Sequence, residues 1–151
     1  MNAIVRMYPS AVNFLCKIDW LPPLMARLAV GHVFFLSGRG KISDLDKTAG
    51  FFEGLGIPFP YAQAVLVSIL ECVGGVLVMA GLMTRLISIP LAVIMGVAIW
   101  TAQWAEVGSL GDFTGLSELL YLIIFLWLCV AGAGKASLDE LVSRRFQNSV
   151  R

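Results

Sequence analysis

The chain has 151 residues, 58% of them apolar and only 14% charged, with a mean hydropathy of +0.84. A soluble domain carries about 25% charged residues, so this composition excludes a disordered chain and argues against an ordinary soluble enzyme. A net charge of +1 leaves no basic surface to spend on phosphates, which excludes a nucleic-acid binder. The apolar excess places the chain in a lipid bilayer, as a single domain over 1–151.

Residues 2–18 are amphipathic. Ile4, Met7, Ala11, Leu15 and Ile18 share one face, and Asn2, Arg6, Asn13 and Lys17 the other, with Pro9 interrupting. The pattern predicts a membrane-surface leader helix, with partner docking as the alternative. Lys17 and Asp19 break any secretory h-region.

Four apolar stretches follow, at about 21–38, 61–82, 86–104 and 115–131. Each is long enough, at 1.5 Å per residue, to approach or cross the ~30 Å hydrocarbon core. Lipid offers backbone groups no water, so such segments are helices or barrel strands. The lack of period-2 alternation selects helices, and the expectation is an all-α, four-helix membrane bundle.

Between the first two spans, Ser43-Asp44-Leu45-Asp46 reads as a helix start with Ser43 as N-cap. A short helix running to Phe52 is expected on the membrane face, stopped by Gly54, Gly56 and Pro58. Gly81 and Thr84-Arg85 form a tight turn, Glu106 to Thr114 an acidic loop, and 132–151 a tail. Seven basic residues (Arg6, Lys17, Arg85, Lys135, Arg144, Arg145 and Arg151) fall on the side of the termini, against Arg39, Lys41 and Lys47 on the other. The positive-inside rule then puts both termini in the cytoplasm.

Ionisable residues within spans are costly and mark candidate sites. They are Arg27 and His32 in the first span, Glu71 in the second and Glu118 in the fourth. Glu71 lies near the midplane, on the same helix side as Ala64, Ser68, Gly74 and Gly75, where a neighbouring helix can come close. A buried carboxylate needs a partner, and Arg27 or His32 is expected to supply it. Glu71 is then either a packing ion pair or a group that handles protons or ligand. Glu118 reads as a helix-start acid and Arg85 as an anchor to headgroups. Cys16, Cys72 and Cys129 stand far apart and read as structural filler. Met79, Met83, Cys72 and His32 invite a copper reading, but no spacing defines a metal site.

These features occur in a familiar order. Arg27-Leu28 with Gly31, Phe34, Gly38 and Lys41 resembles the first-helix signature of the DoxX family, and Phe51-Phe52 with Leu55-Gly56-Ile57-Pro58 its first loop. Glu71-Cys72-Val73-Gly74-Gly75, then Gly81 and Thr84-Arg85, is similar to its second helix and turn. Gly132-Ala133-Gly134-Lys135-Ala136-Ser137-Leu138-Asp139 resembles its closing G-x-G-x-x-S-L-D segment, so that the likeness spans 24–139. His32 and Arg39 depart from the pattern, and Thr101-Ala102-Gln103-Trp104 lacks the His that many members carry there.

The resemblance implies a small four-helix protein of the prokaryotic inner membrane. It also implies links to a thiosulfate:quinone oxidoreductase subunit, to complexes against oxidative stress, or to operons for metal-handling peptides. The functional expectation is a membrane subunit of a redox-linked complex, using quinone or thiol chemistry and not catalytic alone. Its partners would be the bilayer and membrane, periplasmic or cytoplasmic proteins, with homo-oligomerisation left open. The alternative is a non-enzymatic carrier or assembly factor for a small ligand, a metal-handling peptide or a partner protein; a third reading is a packing module that anchors partners. Quinone enters through the resemblance alone, since no motif encodes a haem, flavin or iron–sulfur site.

Overall fold

The computed structural model describes residues 12–13, 16–104 and 107–149. The leader expected over 2–18 lies mostly outside the described residues. Among the described residues every regular element is a helix. The first, α1, spans Leu21–Ser43 with proline in its opening turn, where a missing N–H deprives the helix of nothing. It does not stop at Gly38, as expected, but continues through Arg39 and Lys41 to Ser43. Lysine and arginine are good helix formers and can snorkel, so their charge alone ends nothing.

The short helix α2, Leu45–Gly54, is capped by Asp44 and not by Ser43. The Asp44 carboxylate accepts from the Lys47 N–H at 3.0 Å, whereas the Ser43 hydroxyl turns back to donate to the Gly40 carbonyl. Ser43 is still the last residue of α1, which removes it from the capping position. Helix α3, Pro60–Ala80, ends on Gly81 with φ +69°. Helix α4, Thr84–Ala98, runs on into a π-helical turn, Ile99–Gln103. Within the expected acidic loop lies a further short helix, α5, Leu110–Gly115, started by Ser109. The last apolar helix, α6, is Ser117–Ala131, and the tail contains α7, Leu138–Ser149.

Three of these helices (α1, α3, and α4 with its π turn) are long and apolar enough to cross a membrane. Helix α6 is equally apolar, but its 15 residues rise only about 22 Å. The chain is an all-helical membrane protein.

Its helices pack as two pairs, α1 with α3 and α4 with α6. The first pair is drawn together by glycine. A Cβ on Gly31 would lie 2.7 Å from the Gly75 carbonyl oxygen, and one on Gly75 would lie 2.5 Å from the Phe35 nitrogen. A Cβ on Gly38 would strike the backbone of Cys72 and Ser68. Small residues of this kind let helix backbones touch in lipid, where dispersion contacts carry much of the association. Gly74, one residue along, faces Leu91 and Ile87 of α4 instead, so adjacent glycines serve two neighbours. Val30, Phe34, Val78, Leu91, Phe125 and Leu128 close the core where the pairs meet.

This seam makes a direct forecast. Gly38→Ala should destabilise the protein by about 1–3 kcal/mol through overpacking against backbone that cannot move aside. Gly40→Ala, whose Cβ would meet nothing within 4 Å, should be neutral or slightly stabilising. Thermal unfolding of both variants in detergent reads the difference, and equal melting temperatures would refute the close seam.

Candidate functional site

The glycine contacts fix the antiparallel register of α1 and α3, and the register fixes what Glu71 can reach. With Gly38 against Ser68 and Cys72, the residues level with Glu71 are those near Ser37. Glu71 is 1% exposed, and both its oxygens are engaged from α1. Lys41 Nζ lies 2.5 Å from Oε1, and Ser37 Oγ donates to Oε2 at 2.9 Å. The expected partner helix is therefore correct and both expected partner residues are not. Arg27 stands ten residues before Ser37, about 15 Å along α1. His32 is exposed on the outward face of α1, away from the pair.

Arg27 works at the opposite end of the bundle. It is fully buried, with Nε donating to the Pro23 carbonyl at 3.4 Å and Nη2 donating to the Ala136 carbonyl. Its Nη1 fills the space that a side chain on Gly81 would occupy, and has no partner among the described residues. Asp139 supplies a nearby counter-charge. The same carboxylate accepts from the Met83 and Thr84 N–H groups at 2.7 and 3.1 Å, capping α4, while the Asp139 backbone N–H donates to the Gly81 carbonyl. Ser137 starts α7 by accepting from the Glu140 N–H at 3.2 Å. The closing segment thus ties α1, α3 and α4 together, and within it Ser137 and Asp139 serve as caps.

Toward the Glu71 end the two pairs part around a cavity of about 960 Å³. Helices α1, α2, α3, α4 and α6 all contribute to its wall. Ser37, Lys41 and Glu71 form one polar edge. Phe34 and Tyr121, in edge-to-face contact at 5.6 Å, form an aromatic floor. Leu66 on α3 and Val93 and Val97 on α4 line the cavity while remaining about half exposed, so it opens through the apolar outer surface between these helices.

Glu118 borders the same cavity from α6 and is only half-buried. As a helix-start acid it stands in the first turn of α6, and it also accepts from Gln103 Nε2 at 3.3 Å and from Ser117 Oγ at 3.1 Å. Gln103 closes the π turn. Pro90 also lines the cavity from within α4, where it removes one helical hydrogen bond. Such turns and prolines are places where helices deviate, and π turns recur at functional sites.

Sequence reasoning passed over Ser37, Tyr121 and the role of Lys41. A usable signal existed: Ser37 and Lys41 are four residues apart and so share a helix face. Cys72 and Cys129 are partly buried and Cys16 is exposed, all three as free thiols. No group of three or more metal-binding side chains occurs among the described residues.

Comparison with known proteins agrees with this architecture. Residues 23–104 match the family profile described as DoxX, a span that includes Arg27, Lys41, Glu71 and Arg85. The chain is 37% identical over 140 residues to "Uncharacterized membrane protein Rv3486" of Mycobacterium tuberculosis, covering 82% of this chain and 84% of the relative. It is 30% identical over 127 residues to "Putative oxidoreductase CatD" of Bacillus subtilis, covering 83% and 90%. It is also 30% identical over 128 residues to "Inner membrane protein YphA" of Escherichia coli, covering 78% and 87%. No solved structure matches.

The ion pair sets a test of its own. Removing one member of a buried pair costs about 3–5 kcal/mol, because the other charge is stranded. Lys41, 30% exposed, retains some contact with its surroundings, so Lys41→Met should fall at the lower end. The double variant Lys41→Met/Glu71→Met should be more stable than Glu71-bearing Lys41→Met. His32→Ala should be silent. Thermal unfolding of the unaltered chain, Lys41→Met, Glu71→Met, the double variant and His32→Ala checks the set, and a double-variant loss equal to the sum of the two single losses would show that the two residues do not interact.

Proposed function

The chain belongs to the DoxX family, and on that footing we propose that it is the membrane subunit of a redox-linked complex whose cavity receives a lipid-soluble quinone. One observation carries this reading: an apolar cavity that opens through apolar outer surface has on its edge a buried carboxylate, Glu71, paired with the partly exposed Lys41. At about 960 Å³ it is at the upper end of the range of ~300–1,000 Å³ usual for ligand sites. The name of the Bacillus subtilis relative supports an oxidoreductase context.

The residues present fit such a ligand. Lys41 has three N–H donors and spends one on Glu71, leaving others for a ligand oxygen. Ser37 can place its hydroxyl between the ligand and Glu71. The Phe34 and Tyr121 rings offer a surface for a flat ring, and the exposed gap between α3 and α4 gives an apolar tail its way out. A quinone supplies the capacity to carry electrons and protons within the hydrocarbon phase. Glu71 Oε1 and Oε2 are the atoms where a proton exchanged with it would rest. Partner polypeptides supply the remaining redox or thiol chemistry.

Two measurements test this. A decyl-chain benzoquinone should quench the fluorescence of Trp100, within the cavity-lining turn, and of Trp104, at its end, in a saturable way. Lys41→Met should weaken that binding about tenfold or more, the loss of one charged hydrogen bond. Purification in mild detergent should bring along an oxidoreductase polypeptide. A protein that emerges alone and shows no saturable quenching sinks the proposal; ligand-driven transport in liposomes without redox partners would favour the carrier reading instead.

The orientation is part of the same proposal, with both termini cytoplasmic and the cavity near the outer face. In a background lacking the native cysteines, Lys47→Cys should be labelled from outside the cell and Arg145→Cys should not. The reverse pattern would turn the molecule over.

A further inference from the structure

At the end of the bundle away from the cavity, a second concavity of about 470 Å³ lies between the start of α4 and the closing segment. Two basic side chains border it, Arg85 from the first turn of α4 and Lys135 from the closing segment. Its acids are already engaged. Asp139 caps α4, and Glu140 pairs with Arg144 at 2.9 Å. Arg85 has no ion pair among the described residues and lies against the bare Cα of Gly132, where a Cβ would sit 2.9 Å from Nε. Among the described residues Lys135 pairs with the exposed Asp19, at 2.6 Å, and keeps two further donors.

The floor is built for close approach. Gly132 and Gly134 both hold positive φ, at +81° and +76°, and bring backbone where other residues would bring side chains. The rim is unlike that of a site for a free ion. Met83 and Leu86, both lining the concavity, are 56% and 65% exposed. A polar pocket holding the unpaired charge of Arg85 and the exposed lysine thus passes directly into exposed apolar surface.

We propose that this concavity is a binding site for one anionic phospholipid. Its phosphodiester would lie between Arg85 and Lys135, and its acyl chains along Met83 and Leu86. Arginine presents a planar fork that matches phosphate oxygens, and lysine adds a point charge. Basic pockets beside membrane helices are known to take lipid headgroups. A free phosphate could use the charges but not the apolar rim, so the amphipathic rim selects the lipid. This site is independent of the quinone proposal and does not share its residues.

The test uses the full chain in detergent. Short-chain phosphatidylglycerol, short-chain phosphatidylcholine and inorganic phosphate are each titrated, with melting temperature and lipid adducts in native mass spectrometry as readouts. Phosphatidylglycerol should raise the melting temperature and be retained as a single adduct, while the other two should do neither. Arg85→Gln/Lys135→Gln should weaken retention roughly thirtyfold, at the scale expected for two basic groups near a lipid surface. Lys17→Gln/Arg145→Gln removes the same charge from exposed positions outside the pocket and should leave retention unchanged. Equal binding of phosphatidylcholine, a response to inorganic phosphate, or equal loss in the two double variants would each overturn the proposal. The comparison of the three additives on the unaltered chain stands even if a variant fails to fold.

Discussion

The contact of two backbones, α1 against α3, is the constraint from which the remaining geometry descends. Gly31, Gly38 and Gly75 leave no side chain between the helices, so their relative position cannot slide without a clash. A shift by one helical turn would move Ser37 and Lys41 about 5.4 Å from Glu71, stranding a buried carboxylate. The polar cluster therefore depends on residues that carry no polar side chain at all. Attraction between Lys41 and Glu71 adds specificity to an alignment that shape has already chosen.

The two ends of the bundle then acquire different characters. At one end, the closing segment and Arg27 bind the helix pairs together through carbonyls, caps and a shared carboxylate. At the other, α4 leans on α6 and parts from α3, and the gap between the pairs is walled mainly by apolar side chains, with the Ser37, Lys41 and Glu71 edge on one side. A molecule anchored at one end and parted at the other can accommodate ligands of differing bulk without disturbing its anchored half.

Much of this was legible in the sequence, for reasons that can be named. Uninterrupted apolar length can be read from composition alone, so three of the spans and their short connections emerged within a few residues. Glu71 stood out because a charge among leucines, valines and glycines has no cheap explanation. Its partners were misread because α1 was ended at Gly38; that excluded Lys41 from the helix and left Arg27 and His32 as the available bases. The true pairing follows from register, which needs both helices at once, and the glycines on α1 and α3 were considered separately. Helices α5 and α7 were missed because each is short and polar, and each is started by a serine cap that periodicity does not detect. Nothing in the sequence marks the cavity, which is a property of how far α4 stands from α3.

The spacing of Lys41 and Glu71 also bears on how the protein reaches its membrane. The two residues are 30 positions apart, on helices that pair with each other, and α1 precedes α3 in the chain. An unpaired acid at the centre of a helix opposes insertion by about 2.5–3.5 kcal/mol on translocon scales. That opposition is relieved once α1, already emerged, offers its lysine and serine. On this account α1 is the companion that lowers the cost of placing α3 in lipid, and the helix pair, rather than either helix alone, is the unit in which the carboxylate is satisfied.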